Sequence, residues 1–249
     1  MKTVASLVVC MASVLSFAQE GKREPIATDR PDFTESALVV PHRSIQLETG
    51  FTYQWSRSAF SLGGPEALFR VSMDARHELR FAVPDYNWTR SGGQTQRGWG
   101  DIYLGSKIQL GPLKNGDDLA IIPAITIPSR DRNFSTGSVD PEVKLCWGRD
   151  LNHGWAVSAM AYGLYTTDDQ GRVFVYQQTV SFGRELTEQL GMFLEYAGTF
   201  QKRGIPQHVA HVGLVYRTSN DSQIDVHGGF TMNGPDRKPF IAVGYSVRR

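Results

Sequence analysis

A base and a nucleophile of the kinds that hydrolyse esters, His42 and Ser44, stand two positions apart in this chain. On an extended backbone that spacing points both side chains to one face. Pro41 precedes them and places the pair at a strand entrance. The other histidines are scattered, and none forms a His-x-x-x-His or Cys-containing ligand pattern. His208 and His211 are three apart, on opposite faces of a strand, so they are not expected to share a metal. The sequence has no Gly-rich phosphate loop, paired-carboxylate motif or basic nucleic-acid stripe. No enzymatic activity, cofactor or nucleic-acid partner is expected.

The charged side chains are more informative because they recur at alternate positions. The acids Glu48, Glu66, Glu78, Asp101, Glu142, Glu195 and Asp225 share polar faces with the bases Arg70, Arg76, Arg80, Lys107 and Lys144. A nearly balanced set of this kind favours cross-strand ion pairs over a strongly ion-selective pore. Ahead of the first alternating segment, Thr28–Ser36 reads Thr-Asp-Arg-Pro-Asp-Phe-Thr-Glu-Ser, dense in charge and without alternation. It is expected to tuck into the fold, with Asp29, Arg30, Asp32 and Glu35 pairing with wall residues such as Arg76, Arg80 or Lys107.

These residues need strands to position them, and strands dominate the pattern. In Ser44–Trp55, Ile45, Leu47, Thr49, Phe51, Tyr53 and Trp55 occupy one face, while Gln46, Glu48, Gly50, Thr52 and Gln54 occupy the other. Similar alternation marks 65–73, 75–83, 101–110, 119–127, 141–148, 155–165, 172–183, 189–200, 207–217, 222–232 and 239–247, about twelve strands in all. A tight hairpin is expected at Asp74. Asp85–Arg97 and Pro128–Asp140 read as long outer loops, and the links at 149–153, 184–188 and 218–221 as short turns.

A barrel of about twelve strands is too wide to fill with side chains. Its polar face is therefore the inner one and its apolar face meets lipid. Tyr53, Trp55, Trp88, Trp99, Trp147, Trp155, Tyr165, Tyr196, Tyr216 and Tyr245 fall near strand ends, where membrane–water girdles form. The fold class is thus all-β, an antiparallel transmembrane β-barrel.

Residues 1–18 carry one charge, Lys2, then an apolar run closed by Ser16 and Ala18 at the −3 and −1 positions of a cleavage site, as in a secretory signal peptide. The expected organisation is a signal at 1–18, a plug-like segment at 19–43 and a barrel at 44–249. Export would leave Cys146 as the only thiol and bring the formal charge from +1 to 0, which argues against a partner held by bulk charge.

The Thr28–Ser36 run, then Val40-Pro41 and Gln46–Phe51, resembles the opening of the outer-membrane barrel family named for a MetA pathway of phenol degradation. Glu78-Leu79-Arg80, Val83–Asn87, Gly100–Lys107, Ile125–Pro128 and Pro141–Leu145 continue the resemblance in order. It implies a bacterial outer-membrane location and a transporter-like role with an unspecified solute. It also implies contact with outer-membrane lipid, and with the barrel-assembly machinery during biogenesis. The chain departs from the expected terminal aromatic, ending Tyr245-Ser246-Val247-Arg248-Arg249. His42 and Ser44 also resemble the His-x-Ser pair of outer-membrane phospholipases, but no Asn continues that motif.

The expected function is passive passage of small solutes through the charged lumen. One alternative is a structural or interaction barrel closed by its own ion pairs. A less favoured one is an outer-membrane lipid hydrolase.

Overall fold

The computed structural model describes residues 24–234 and 237–249. The signal-peptide expectation lies outside these residues.

Alternation along the chain produces fifteen extended segments. They are β1 (Ile45–Trp55), β2 (Ala59–Gly64), β3 (Leu68–Ser72), β4 (His77–Ala82), β5 (Tyr86–Ser91), β6 (Gln94–Trp99), β7 (Ile102–Gln109) and β8 (Asp118–Ile127), followed by β9 (Asp140–Asp150), β10 (Trp155–Asp168), β11 (Gly171–Glu185), β12 (Leu190–Gln201), β13 (Gln207–Ser219), β14 (Ser222–Thr231) and β15 (Phe240–Arg248). Neighbours in the wall pair antiparallel, and β15 pairs with β1 from Gln46↔Arg248 to Gln54↔Phe240, which closes the sheet on itself. Closure removes the exposed edges that an open sheet would present.

Three wall strands are broken in the middle, so the fifteen segments make twelve strands. β2 and β3 share one partner, β1, and are separated by Pro65–Ala67. The breaks between β4 and β5 and between β6 and β7 fall beside this one, and Asp85 ties all three together. Its carboxylate accepts the Glu66 amide at 2.6 Å, and its carbonyl accepts the Gly100 amide at 2.8 Å. Above the breaks, β2, β5 and β6 continue the wall with the same inside–outside alternation.

This corrects one expectation, because Asp85–Arg97 is not a long loop. It contains β5 and most of β6, joined at Gly92-Gly93, whose φ angles of 57° and 81° belong to the two-residue turn that glycine pairs favour. Charged Arg90 and Arg97 on the outward face had hidden the alternation. The second expected loop is present at 128–139. It covers the free edge of β6, where Asp131 accepts the Trp99 amide at 3.2 Å.

Burial is inverted relative to a water-soluble protein. Glu48, Arg70, Glu78 and Lys107 are 0% exposed, while Phe51 (53%), Leu194 (57%) and Val243 (51%) face outward. An apolar exterior around a charged interior is what a hydrocarbon surrounding demands, with the wall closed by the β15–β1 pairing. The chain is an outer-membrane-type β-barrel.

Candidate functional site: a lumen filled by the N-terminal segment

The lumen contains the stretch before β1. Its peptide groups would be costly to bury unpaired, and wall carboxylates satisfy several of them. Glu48 Oε2 accepts the amides of Asp29 and Arg30, each at 2.9 Å, and Glu78 Oε2 accepts Val40 at 2.7 Å. Across the barrel, Glu195 accepts the amides of Phe33 and Thr34 at 2.8 and 2.7 Å, together with the Thr34 hydroxyl at 2.7 Å.

Asp29 is the centre of charge. Its carboxylate meets Arg80 at 2.5 Å, Lys107 at 2.8 Å and Arg70 at 3.3 Å. Arg70 is in turn forked onto Glu78 at 2.8 and 3.0 Å and reaches Glu48 at 2.9 Å. It also donates to the carbonyls of Ala27 and Leu38, at 3.1 and 2.8 Å. Burial alone would raise the Asp29 carboxyl, but Arg70, Lys107 and Arg80 outweigh it and hold the group far below the usual carboxylate range. Asp32 is shifted the other way: burial, then the neighbouring Glu195 carboxylate, pushes its carboxyl well above the usual range.

A third contact is made by Glu35, which joins Arg80 at 2.7 Å and Lys144 at 2.5 Å. The Lys144 ammonium sits 5.4 Å from the Tyr103 ring and 5.2 Å from that of Tyr162, whose hydroxyl donates to Glu142 at 2.8 Å. A cavity of about 350 Å³, lined in part by Glu35, Arg80, Asp101, Tyr103 and Lys144, lies beside this contact.

Arg30 anchors the segment at the closure of the barrel. It pairs with Glu66 and with Asp225 (3.3 Å), and its Nη2 lies 3.2 Å from His227 Nε2. Gly50 and Gly244 face each other across the β1–β15 pair, and a Cβ on either would collide with the Arg30 side chain. The two glycines therefore form the floor of a slot for the guanidinium. Because Arg30 cannot step aside without leaving Glu66 and Asp225, Gly244→Val should weaken docking by about 1–3 kcal/mol. Faster proteolysis within 24–43 in an otherwise folded barrel would show it.

Glu195 continues into a chain of imidazoles, with His211 Nδ1 at 2.7 Å and His211 Nε2 2.8 Å from His227 Nδ1. His208 points to the other face, against the Tyr196 hydroxyl at 2.7 Å, so the two histidines are separated as expected.

Of the candidates read from sequence, Asp29, Arg30, Glu35, Glu48, Arg70, Glu78, Arg80, Lys107, Lys144 and Glu195 converge on the segment. Glu142 joins them through Lys144, and Asp32 lies beside Glu195. Two do not behave as expected. Arg76 belongs to the exposed turn between β3 and β4, where Asp74 accepts its amide at 2.7 Å, and takes no part in the lumen. Asp101 mainly organises the outer loop, accepting the amides of Ser129 and Thr136 at 2.8 and 3.0 Å. The glycine slot and the pairing of His211 with His227 depend on strand register and carry no local signal.

A family model described as "Putative MetA-pathway of phenol degradation" matches residues 28–248. Among solved structures, the outer membrane channel from Pseudomonas putida F1 is 14% identical with a TM-score of 0.70, covering 94% of this chain and 100% of that one. The NanC porin is 11% identical with a TM-score of 0.55, covering 81% and 98%. The KdgM porin is 9% identical with a TM-score of 0.51, covering 80% and 98%. At these identities the likeness is one of fold. No curated protein matches.

Proposed function

The chain belongs to the family described as "Putative MetA-pathway of phenol degradation", and from that premise we propose that it is an outer-membrane channel passing small solutes by diffusion, with Thr28–Ser36 as a plug that sets the width of the lumen. The observation that carries this reading is the docking of Asp29 onto Arg70, Arg80 and Lys107, which puts a non-wall segment across the lumen. Wall charges committed to holding the segment are not free to select ions, so steric filtering dominates.

The protein acts without catalysis of its own. Its carboxylate–imidazole chain runs from Glu195 through His211 and His227 to Arg30, a cation, where hydrolysis would need a nucleophile. His42 is exposed while Ser44 is buried, which does not favour a base–nucleophile pair.

Planar-bilayer conductance of the purified protein, against a variant lacking residues 28–36, tests the reading. Conductance should rise several-fold on deletion, with a heat-modifiable gel shift confirming a folded barrel. Equal conductance would remove the plug. A folded deletion variant that stays silent would remove the channel and favour a closed structural barrel.

A further inference from the structure

The register aligns an outward-facing row across four strands, Leu194↔Val212↔Gly228↔Ile241, which ends on Tyr53 of β1. In the next row toward the loop end, Tyr196↔Ala210↔Phe230 lie side by side. Gly228 and Ala210 are small where their neighbours are large. Between Leu194, Val212, Phe230, Ile241 and Trp55 the barrel exterior is therefore hollowed into an apolar groove of about 670 Å³.

At Trp55 and Ile241 this groove runs into a second depression of about 790 Å³, which includes Arg57 and Arg90. The Arg237 guanidinium lies 5.9 Å from the Phe230 ring. Arg57, Arg90 and Arg237 are exposed, and among the described residues no carboxylate pairs with any of them. A basic rim, with no paired carboxylate among the described residues, sits directly above an acyl-sized groove, with Trp55 at the junction. This is the charge and polarity profile of a lipid molecule standing upright in the leaflet, headgroup at the rim and chain in the groove.

We propose that this face binds an anionic, phosphate-bearing lipid of the outer leaflet, with Arg57 and Arg90 on the phosphate and one acyl chain over Ala210 and Gly228. The site is on the outside of the wall and independent of the lumen, so it stands whether or not the barrel conducts.

The test reconstitutes the full protein in phosphatidylcholine vesicles containing a minor fraction of phosphatidylglycerol with brominated acyl chains, and reads tryptophan quenching. The Trp55→Phe variant isolates the part that arises in the groove. Groove quenching should saturate at a much lower fraction of brominated phosphatidylglycerol than of brominated phosphatidylcholine. The preference should fall by roughly fivefold for each of Arg57→Gln and Arg90→Gln. Ala210→Phe, which fills the groove and leaves the rim intact, should abolish the quenching specific to Trp55 and tests the groove independently of the rim charges. Coincident curves for the two lipids, an unchanged preference in the charge variants, or cross-linking of two copies through this face would each overturn the proposal.

Discussion

Arg70→Met should destabilise the folded protein by about 3–5 kcal/mol, the cost of removing one partner from a buried ionic cluster. The guanidinium is 0% exposed and connects Glu48, Glu78 and Asp29. Its loss leaves three carboxylates in a confined space with only Arg80 and Lys107 to offset them, and also orphans the carbonyls of Ala27 and Leu38. The midpoint of urea unfolding in lipid vesicles reads the effect. Adding Glu78→Gln to Arg70→Met should recover part of the loss, because one stranded charge disappears with its partner. A loss of stability below about 1 kcal/mol would mean that the cluster is hydrated and ordinary.

The second large effect is expected from Asp29→Asn. The amide retains the shape of the side chain, but Arg70, Arg80 and Lys107 lose a shared counter-charge, at a cost of about 3 kcal/mol to the docked segment. The undocked population should rise by about two orders of magnitude, seen as more frequent open steps and as protease cleavage within 24–43. Asp32→Asn makes the contrast, since its carboxyl is already held toward the neutral form by burial and Glu195 and should change docking by less than about 1 kcal/mol.

The two acids also predict opposite pH responses. Asp29 is lowered on docking, so its contribution is present above its ordinary value of 3.8 and is lost as pH falls below it. Asp32 is raised, so its contribution is complete below 3.8 and is lost as pH rises through its raised value. Through Asp29, strong acid should therefore loosen docking in the parent, and Asp29→Asn should remove that part of the response.

Much of this arrangement was legible in the chain itself. The twelve wall strands follow from a period of two, and β1 reproduces the alternation of Ser44–Trp55 residue for residue. Thr28–Ser36 stood out because it has charge without alternation, and Arg80 and Lys107 are among its partners as expected. Arg76 was misplaced because periodicity places faces but does not mark where a strand stops, and Asp74 ends the pairing there through an Asx turn. Asp85–Arg97 was misread because a strand at the outer rim exposes arginines on its outward face, which reads as loop composition. The Gly50–Gly244 slot unites residues from the first and last strands, and no local pattern announces a contact that exists only after closure.

That slot also dictates an order of events. Its two halves come together only when the first and last wall strands meet, and Arg30 then reaches from Glu66 on one side of the junction to Asp225 on the other. Arg30 cannot find its seat until the cylinder is complete, so this contact forms only once the first and last wall strands have paired. Docked Arg30 thus acts as a clasp: any opening between the two strands must first break its ion pairs, and the stretch that precedes the wall is the one that locks it shut.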